Sequence, residues 1–396
     1  MSKNNLFVPF SLPAMGPEEE EAVLAVIRSG WLTTGKETLA FEKEFAQYVG
    51  GENELQALAV NSASSGLMLA MDACGVGQGD EPGKILTTPY TFISTATSSC
   101  HLGGGVVYAD TAPDSYNIDP VQIEKKLKEH KDIKAIVPVH IAGLPCDMDA
   151  ICDLGKKYGV PVIEDAAHAL PSKTKKGFAG TLGDIGVYSF YATKPICTAE
   201  GGMICTKNAD YAERMSIMRM HGIDRPVWNR YTSDRASWEY DVVAPGYKCN
   251  FPDILGSLGR CQLKKCQELF ESRKKIVELY NSRFAEYDFL QLPPDGEGNA
   301  WHLYMLRIDP EKLHINRNEF TAILQEEGIG ISMHFIPHFR MTYMKETFGL
   351  KPEDFPNAEK QFELSFTIPL WPGMTEEMID KVVSVIIKTG KDHYVC

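Results

Sequence analysis

The sequence predicts an α/β protein: a large domain on a mostly parallel central sheet, joined to a smaller α/β domain at the C-terminal end. Three observations carry this. From about residue 55 to 240, short apolar runs alternate with stretches of helical periodicity, the pattern of strands joined by crossover helices. Those runs are apolar throughout rather than every second residue, so their sheet is buried on both faces. The 396 residues also exceed what one simple core organises, and a long charged helical stretch after Gln262 bridges to the C-terminal part of the chain. The expected division is a large ligand-binding domain over 1–255, with residues 1–15 packing elsewhere, and the bridging helix plus small domain over 256–396.

Each element has its own cue. Gly16 and Pro17 open a helix, since proline is tolerated in the first turn. Glu18 to Glu21 come next, favourably placed near the positive end of the helix dipole. Val23, Val26 and Ile27 give it an apolar stripe and Gly30 ends it, leaving Trp31 to Gly35 as a loop. Strands are predicted at 58–60, 84–87, 105–109, 134–139, 160–163, 185–190 and 202–206, with helices from Ser65 and over 148–158. In the small domain, 301–308 and 329–334 read as strands and 375–388 as the last helix. No internal repeat is present.

Composition narrows the function. A net charge of −13 argues against nucleic acid, and the short basic runs around Lys125 and Lys175 read as solvated faces. Ten scattered cysteines form no C-x-x-C pair and no zinc-spaced cluster, so no metal site is expected and the thiols suit a reducing compartment. Met1 to Asn5 lead into no sustained apolar stretch. No signal peptide or membrane span is expected, and the cytosol is the default.

In sheets of this kind ligands bind beyond the carboxyl ends of the strands, and four strand ends carry chemistry. Asn61, Ser62, Ala63, Ser64, Ser65 and Gly66 combine small residues with a helix N-terminus, a ready anion site; a serine-rich helix cap would look the same. Thr88 to Phe92 supplies an aromatic that stacks on a flat heterocycle or packs in the core. Glu164 and Asp165 end an apolar strand, where two acids need a partner. A cationic ring nitrogen is one such partner, and a helix-capping role for Asp165 is the alternative. Lys194 lies among apolar and small residues, where desolvation lowers its pKa from about 10.4 and frees the amine as a nucleophile. A lysine snorkelling from a surface turn is the bland alternative.

Order and context then match a known family. The chain resembles the DegT/DnrJ/EryC1/StrS sugar aminotransferases, which have the fold-type I pyridoxal phosphate (PLP) architecture. The likeness runs from about Phe7 to the C-terminal helix. It rests on Gly30-Trp31-Leu32-Thr33-Thr34-Gly35, Val137-Pro138-Val139-His140-Ile141-Ala142-Gly143, Ile163-Glu164-Asp165-Ala166-Ala167-His168, Ser189-Phe190-Tyr191-Ala192-Thr193-Lys194 and Gly246-Tyr247-Lys248-Cys249-Asn250. The opening Phe10 to Gly16 and the run Cys197 to Gly202 bring it nearest the branch that makes UDP-4-amino-4-deoxy-L-arabinose.

The resemblance implies that the large domain binds pyridoxal 5′-phosphate, that Lys194 holds it as a Schiff base and that Asp165 pairs with its protonated ring nitrogen. It further implies that Phe92 stacks on the ring, that His168 lies near the phenolic oxygen, and that Ala63, Ser64 and Ser189 contact the phosphate. Asn250 would reach the phosphate of a neighbouring subunit, making a homodimer with shared sites. Glutamate would donate nitrogen to a nucleotide keto sugar, with UDP-4-keto sugars favoured over 3-keto ones. The 334–338 segment would lie over the substrate, with His334 or His338 contacting sugar or diphosphate, the alternative being two surface histidines on a loop; Trp31, Thr33 and Thr34 would lie near the site. Two departures stand out. Lys248-x-Asn250 replaces the Asn-x-Arg of many members, and Pro195 comes directly after the lysine, restricting it away from helical geometry. A dehydratase of the same family would carry histidine in place of Lys194, and a non-catalytic relative would have no reason to keep Asp165, His168, Ser189 and Lys194 together.

Overall fold

The computed structural model describes residues 6–51, 54–224 and 240–395. Helix α1 (Pro17–Ser29) forms as its composition dictates: proline opens it, acids fill its first turn, and Gly30 closes it at φ 75°. After α2 (Lys36–Gly50) the chain alternates through β1 (Gln56–Val60), α3 (Ala63–Ala73), β2 (Lys84–Thr87), α4 (Ser94–His101), β3 (Gly105–Tyr108), α5 (Pro120–Glu129) and β4 (Ile133–Val137). It continues with α6 (Met148–Tyr158), β5 (Ile163–Asp165), a small hairpin of β6 (Lys173–Thr174) and β7 (Gly177–Phe178), β8 (Ile185–Ser189), β9 (Gly202–Thr206) and α7 (Ala209–Met218).

The strands form two hydrogen-bonded sets, β1-β9-β8-β5 and β3-β2-β4. Parallel bridges from Ile136 to Val162 and from Val139 to Asp165 stitch β4 to β5, giving the continuous order β3-β2-β4-β5-β8-β9-β1. All run parallel except β9, which is antiparallel to both neighbours. The expected mostly parallel sheet is therefore present. Pro138, lacking an N–H, comes after the last residue of β4. The sheet is covered on both faces. Ile123, Leu127 and Ile151 of α5 and α6 pack on Val107 and Ile136, and Leu67, Met71 and Met215 of α3 and α7 pack with Val187 and Ile204.

Helix α8 (Asp253–Phe284) begins well before Gln262, where the charge pattern placed it. Gly256 and Gly259 weaken the helical signal in its first turns. They are there for contact: a Cβ on Gly256 would lie 2.8 Å from the Thr38 nitrogen, and one on Gly259 2.6 Å from the Phe41 ring. α8 thus presses on α2, around a core of Phe41, Phe45, Tyr188, Phe190 and Phe251.

Beyond it lie β10 (Leu290–Gln291), β11 (Tyr304–Ile308), α9 (Arg317–Glu326), α10 (Thr342–Phe348), α11 (Pro356–Leu364), β12 (Ser365–Ile368) and α12 (Glu376–Asp392). β12 was not foreseen, and 329–334, expected as a strand, is not one. Ile329 pairs with Val8 and Ser332 with Thr367, so the segment changes neighbour before any ladder can extend. A second core gathers Val8, Tyr280, Phe284, Tyr304, Phe320 and Ile386. Among the described residues no helix is long and apolar enough to cross a membrane.

Candidate active site

β5 and β8 are adjacent and parallel, so their carboxyl ends open at one edge. Asp165 is the last residue of β5 and Ser189 the last of β8. Lys194 lies in the connection to β9, whose first residue, Gly202, pairs back with Ser189.

Asp165 is 4% exposed. Its Oδ2 accepts the Thr95 hydroxyl at 2.8 Å and its Oδ1 the Ala167 amide at 3.2 Å. Burial raises its pKa, while those two bonds and the charge of Lys194 pull it back. Among the described residues no lysine or arginine forms an ion pair with it. Lys194 complements it. Burial pushes its ammonium down to about 8, against the opposing pull of Asp165, and among the described residues its Nζ has no hydrogen-bond partner. A snorkelling surface lysine would keep its ordinary, higher pKa.

Three buried or half-buried histidines lie within reach of this amine's charge. His168 accepts the Ala142 amide at Nδ1 (3.3 Å), which leaves the proton of the neutral ring on Nε2. Burial holds its pKa well below the usual imidazole range, helped by the charge of Lys194. His302 lies 4.6 Å from it, ring to ring, and is depressed for the same first reason. His334, pushed down to about 3 by burial and then Lys194, contacts the Thr367 hydroxyl through Nδ1 at 3.0 Å and stacks on Phe10. Phe335 stacks on His168 at 5.6 Å and approaches Phe92 at 6.2 Å. Phe92 is 57% exposed, so it presents an aromatic face rather than filling the core.

The anion end is built around Gly202, which pairs with Val60 on one side and Ser189 on the other. The start of α3, bearing Ala63 and Ser64, and Ser189 therefore flank one glycine. A Cβ there would lie 2.8 Å from the Ala63 nitrogen and 2.9 Å from the Tyr188 carbonyl oxygen, so only glycine allows this approach. Ser62 caps α3 by accepting the Ser65 amide at 3.1 Å, and among the described residues the Ala63 and Ser64 amides at the helix start have no partner.

Asn250 pairs with Val60 at the sheet edge, and its side-chain amide donates to the Thr34 hydroxyl at 2.8 Å. The 31–35 loop is fastened there. Asp253 accepts the Gly35, Glu37 and Thr38 amides at 2.7, 3.2 and 3.0 Å, and its own amide donates to the Thr33 carbonyl at 3.1 Å. Trp31 donates its indole N–H to the Thr34 carbonyl at 3.2 Å.

Two expectations are corrected. His338 does not line the cleft: it is fully buried, with Nδ1 on the Tyr108 hydroxyl (3.0 Å) and Nε2 on the Thr91 carbonyl (3.1 Å). Glu164 does not await a ligand. Its carboxylate takes His140 Nε2–H and the amides of Gly180, Leu182 and Gly183, at 2.6 to 2.9 Å. Asp165 heads a turn rather than a helix. Sequence reasoning missed Thr95, Phe335 and His302. Thr95, four residues after Thr91 at a helix start, was the most findable; His302 carried no signal.

The arrangement offers a buried carboxylate lacking a cation, a facing amine that is easily deprotonated, neutral imidazoles, an exposed aromatic face and an anion seat. A flat cationic ring with an anionic tail satisfies all of them. Comparison with known proteins points the same way. The model of the DegT/DnrJ/EryC1/StrS aminotransferase family matches residues 13–387. The spore coat polysaccharide biosynthesis protein SpsC of Bacillus subtilis is 41% identical over 389 residues, 98% of each chain. Among solved structures, the Helicobacter pylori aminotransferase PseC, involved in pseudoaminic acid biosynthesis, superimposes with a TM-score of 0.87 at 27% identity, covering 98% of this chain and all of that one. The putative sugar aminotransferase Spr1654 of Streptococcus pneumoniae, solved in its PLP form, also gives 0.87, at 29% identity over 98% and 99% of the two chains. With the matched residues spanning both cores and every strand end of the site, the chain belongs to the DegT/DnrJ/EryC1/StrS aminotransferase family.

Proposed function

We propose that this chain is a pyridoxal-phosphate-dependent aminotransferase that moves nitrogen from glutamate to a nucleotide-linked keto sugar, with a UDP-4-keto sugar as acceptor. The observation that carries the cofactor reading is Asp165: a buried carboxylate that, among the described residues, has no cation paired with it, near a lysine amine that has no hydrogen-bond partner among them. Asp165 would hold the protonated pyridine nitrogen of the cofactor, and the start of α3 beside Gly202 would hold its phosphate. The solved PLP and PMP forms of Spr1654 support the same cofactor.

Bound pyridoxal phosphate supplies an electron sink for the carbanion at the carbon exchanging nitrogen. The chain supplies everything around it. Asp165, whose ionised form the Thr95 and Ala167 bonds favour against burial, would hold the ring-nitrogen proton. Lys194 would hold the cofactor through Nζ, and its amine would serve as general base and acid, taking and returning a proton at Nζ. A pKa near neutrality suits both roles. His168, with its proton on Nε2, donates to the phenolic oxygen. His334, facing Lys194, contacts the sugar substrate.

The polysaccharide role named for SpsC and the amino-sugar pathway named for PseC support a sugar acceptor. The 4-position rests on the arabinose-like strings alone. Asn250, at the sheet edge, is assigned to the phosphate of a neighbouring subunit in a homodimer. The reaction is placed in the cytosol, where the chain's unpaired thiols stay reduced. The deciding experiment is a screen of nucleotide keto sugars with glutamate, read by mass spectrometry. Amination of UDP-4-keto sugars is expected; turnover of 3-keto sugars alone would overturn the regiochemistry, and no turnover by cofactor-loaded protein would overturn the sugar assignment.

A further inference from the structure

We propose that Thr95 and Thr91 are a positioning dyad that orients Asp165 and holds it ionised against the cofactor's ring nitrogen. The inference rests on the reading that Asp165 faces that nitrogen. All three side chains are buried: Thr95 is 0%, Thr91 1% and Asp165 4% exposed.

The direction of the bonds comes from chemistry. An ionised carboxylate only accepts, so the 2.8 Å contact commits the Thr95 hydrogen to Asp165 Oδ2. The 3.1 Å contact between the two hydroxyls must then be donated by Thr91. Protons point Thr91→Thr95→Asp165, and each bond polarises the next. The remaining bond to the carboxylate, from the Ala167 amide to Oδ1, is longer at 3.2 Å.

Thr95 differs from its neighbours on α4 in what it donates to. Thr97, Ser98 and Ser99 give their hydroxyls to backbone carbonyls, of Ile93, of Ser94 and Ser64, and of Gly105. The Thr95 hydroxyl instead goes to a side-chain carboxylate at a strand end seventy positions away in sequence. The far end of the dyad is fixed as well. His338 bonds the Thr91 carbonyl through Nε2, its amide donates to the Pro89 carbonyl at 2.9 Å, and Tyr108 holds its Nδ1. That explains why this histidine is buried: it clamps the segment from which Thr91 reaches inward and Phe92 outward.

The test uses holoenzyme reconstituted with cofactor labelled with nitrogen-15 in the ring. Thr95→Val keeps the shape and deletes the donor; Thr95→Ser keeps the donor. For Thr95→Val, the pH at which the ring nitrogen loses its proton, read by NMR, is expected to fall by about one unit. Its kcat is expected to fall roughly tenfold, the order for one hydrogen bond to a charged group, with the glutamate KM within about twofold of wild type. Thr95→Ser restores both. Thr91→Val moves the same NMR midpoint in the same direction by less.

An unchanged midpoint in both valine variants, or a serine variant as impaired as the valine one, overturns the dyad. Asp165→Asn separates the two levels. If it leaves the ring nitrogen unmoved, the placement of Asp165 fails; if it shifts the nitrogen while the valine variants do not, only the dyad fails. Should Thr95→Val not fold, Thr91→Val decides, since it leaves the bond to Asp165 in place.

Discussion

Glu164 Oε2 accepts the Nε2–H of His140 at 2.9 Å, with both side chains wholly shut off from solvent, directly beside the strand-end Asp165. The Cys146 amide donates to Nδ1 at 3.0 Å, which fixes the ring's proton on Nε2. Glu164→Ala strands this imidazole, the buried Gly180 amide and the half-buried amides of Leu182 and Gly183. It is expected to cost about 3–5 kcal/mol in urea unfolding. Glu164→Gln, which keeps an acceptor oxygen, is expected to lose less than half of that.

The two histidines of the 334–338 segment are expected to separate. His334→Ala raises the KM for the sugar nucleotide and leaves the melting temperature nearly unchanged. His338→Ala removes two buried hydrogen bonds and costs about 2–3 kcal/mol of stability in urea unfolding. A rise in sugar KM for His338→Ala without destabilisation would contradict its placement.

Lys194 predicts a pH dependence. Its amine is protonated below about 8 and neutral above. Capture of pyridoxal phosphate by the apoprotein, monitored by stopped-flow absorbance, should therefore quicken as pH rises through about 8 and then level off. An ordinary lysine would keep gaining reactivity up to about pH 10.4. Lys194→Ala should lose the visible band of the bound cofactor.

Gly202→Ala drives a methyl group into the start of α3. The strain expected is about 1–3 kcal/mol, concentrated at the phosphate seat. Equilibrium dialysis should show pyridoxal phosphate binding weakened roughly 10- to 100-fold, with the sheet intact by circular dichroism.

Asp253→Ala frees the three amides that it holds at the start of α2. About 2 kcal/mol is expected from the lost cap, measured by chemical unfolding, with Asp253→Asn milder.

Much of this was legible because strands buried on both faces announce themselves and strand ends tell where to look. The boundaries of α6 and the caps of α1 come from residues that act locally. What stayed hidden depends on partners far along the chain. Glu164 reads as a waiting acid until His140 is folded beside it, and His338 reads as a loop histidine until Tyr108 and Thr91 enclose it. β12 lacks a local cue because its pairing with β11 is tertiary, and α8 hides its start behind two glycines that exist to touch α2. Lys194 itself is ambiguous in sequence; Asp165, from another strand, is what gives it meaning.

The reversed strand β9 has a mechanical consequence. Because Ser189 and Gly202 sit opposite one another, the segment bearing Lys194 leaves the sheet and rejoins it at a single point. Sliding or breathing of the flanking helices cannot pull its two ends apart. β5 borders the same strand β8, so the amine and the carboxylate ride on one plank. Motion of the surrounding segments leaves the backbone anchors of this pair in register.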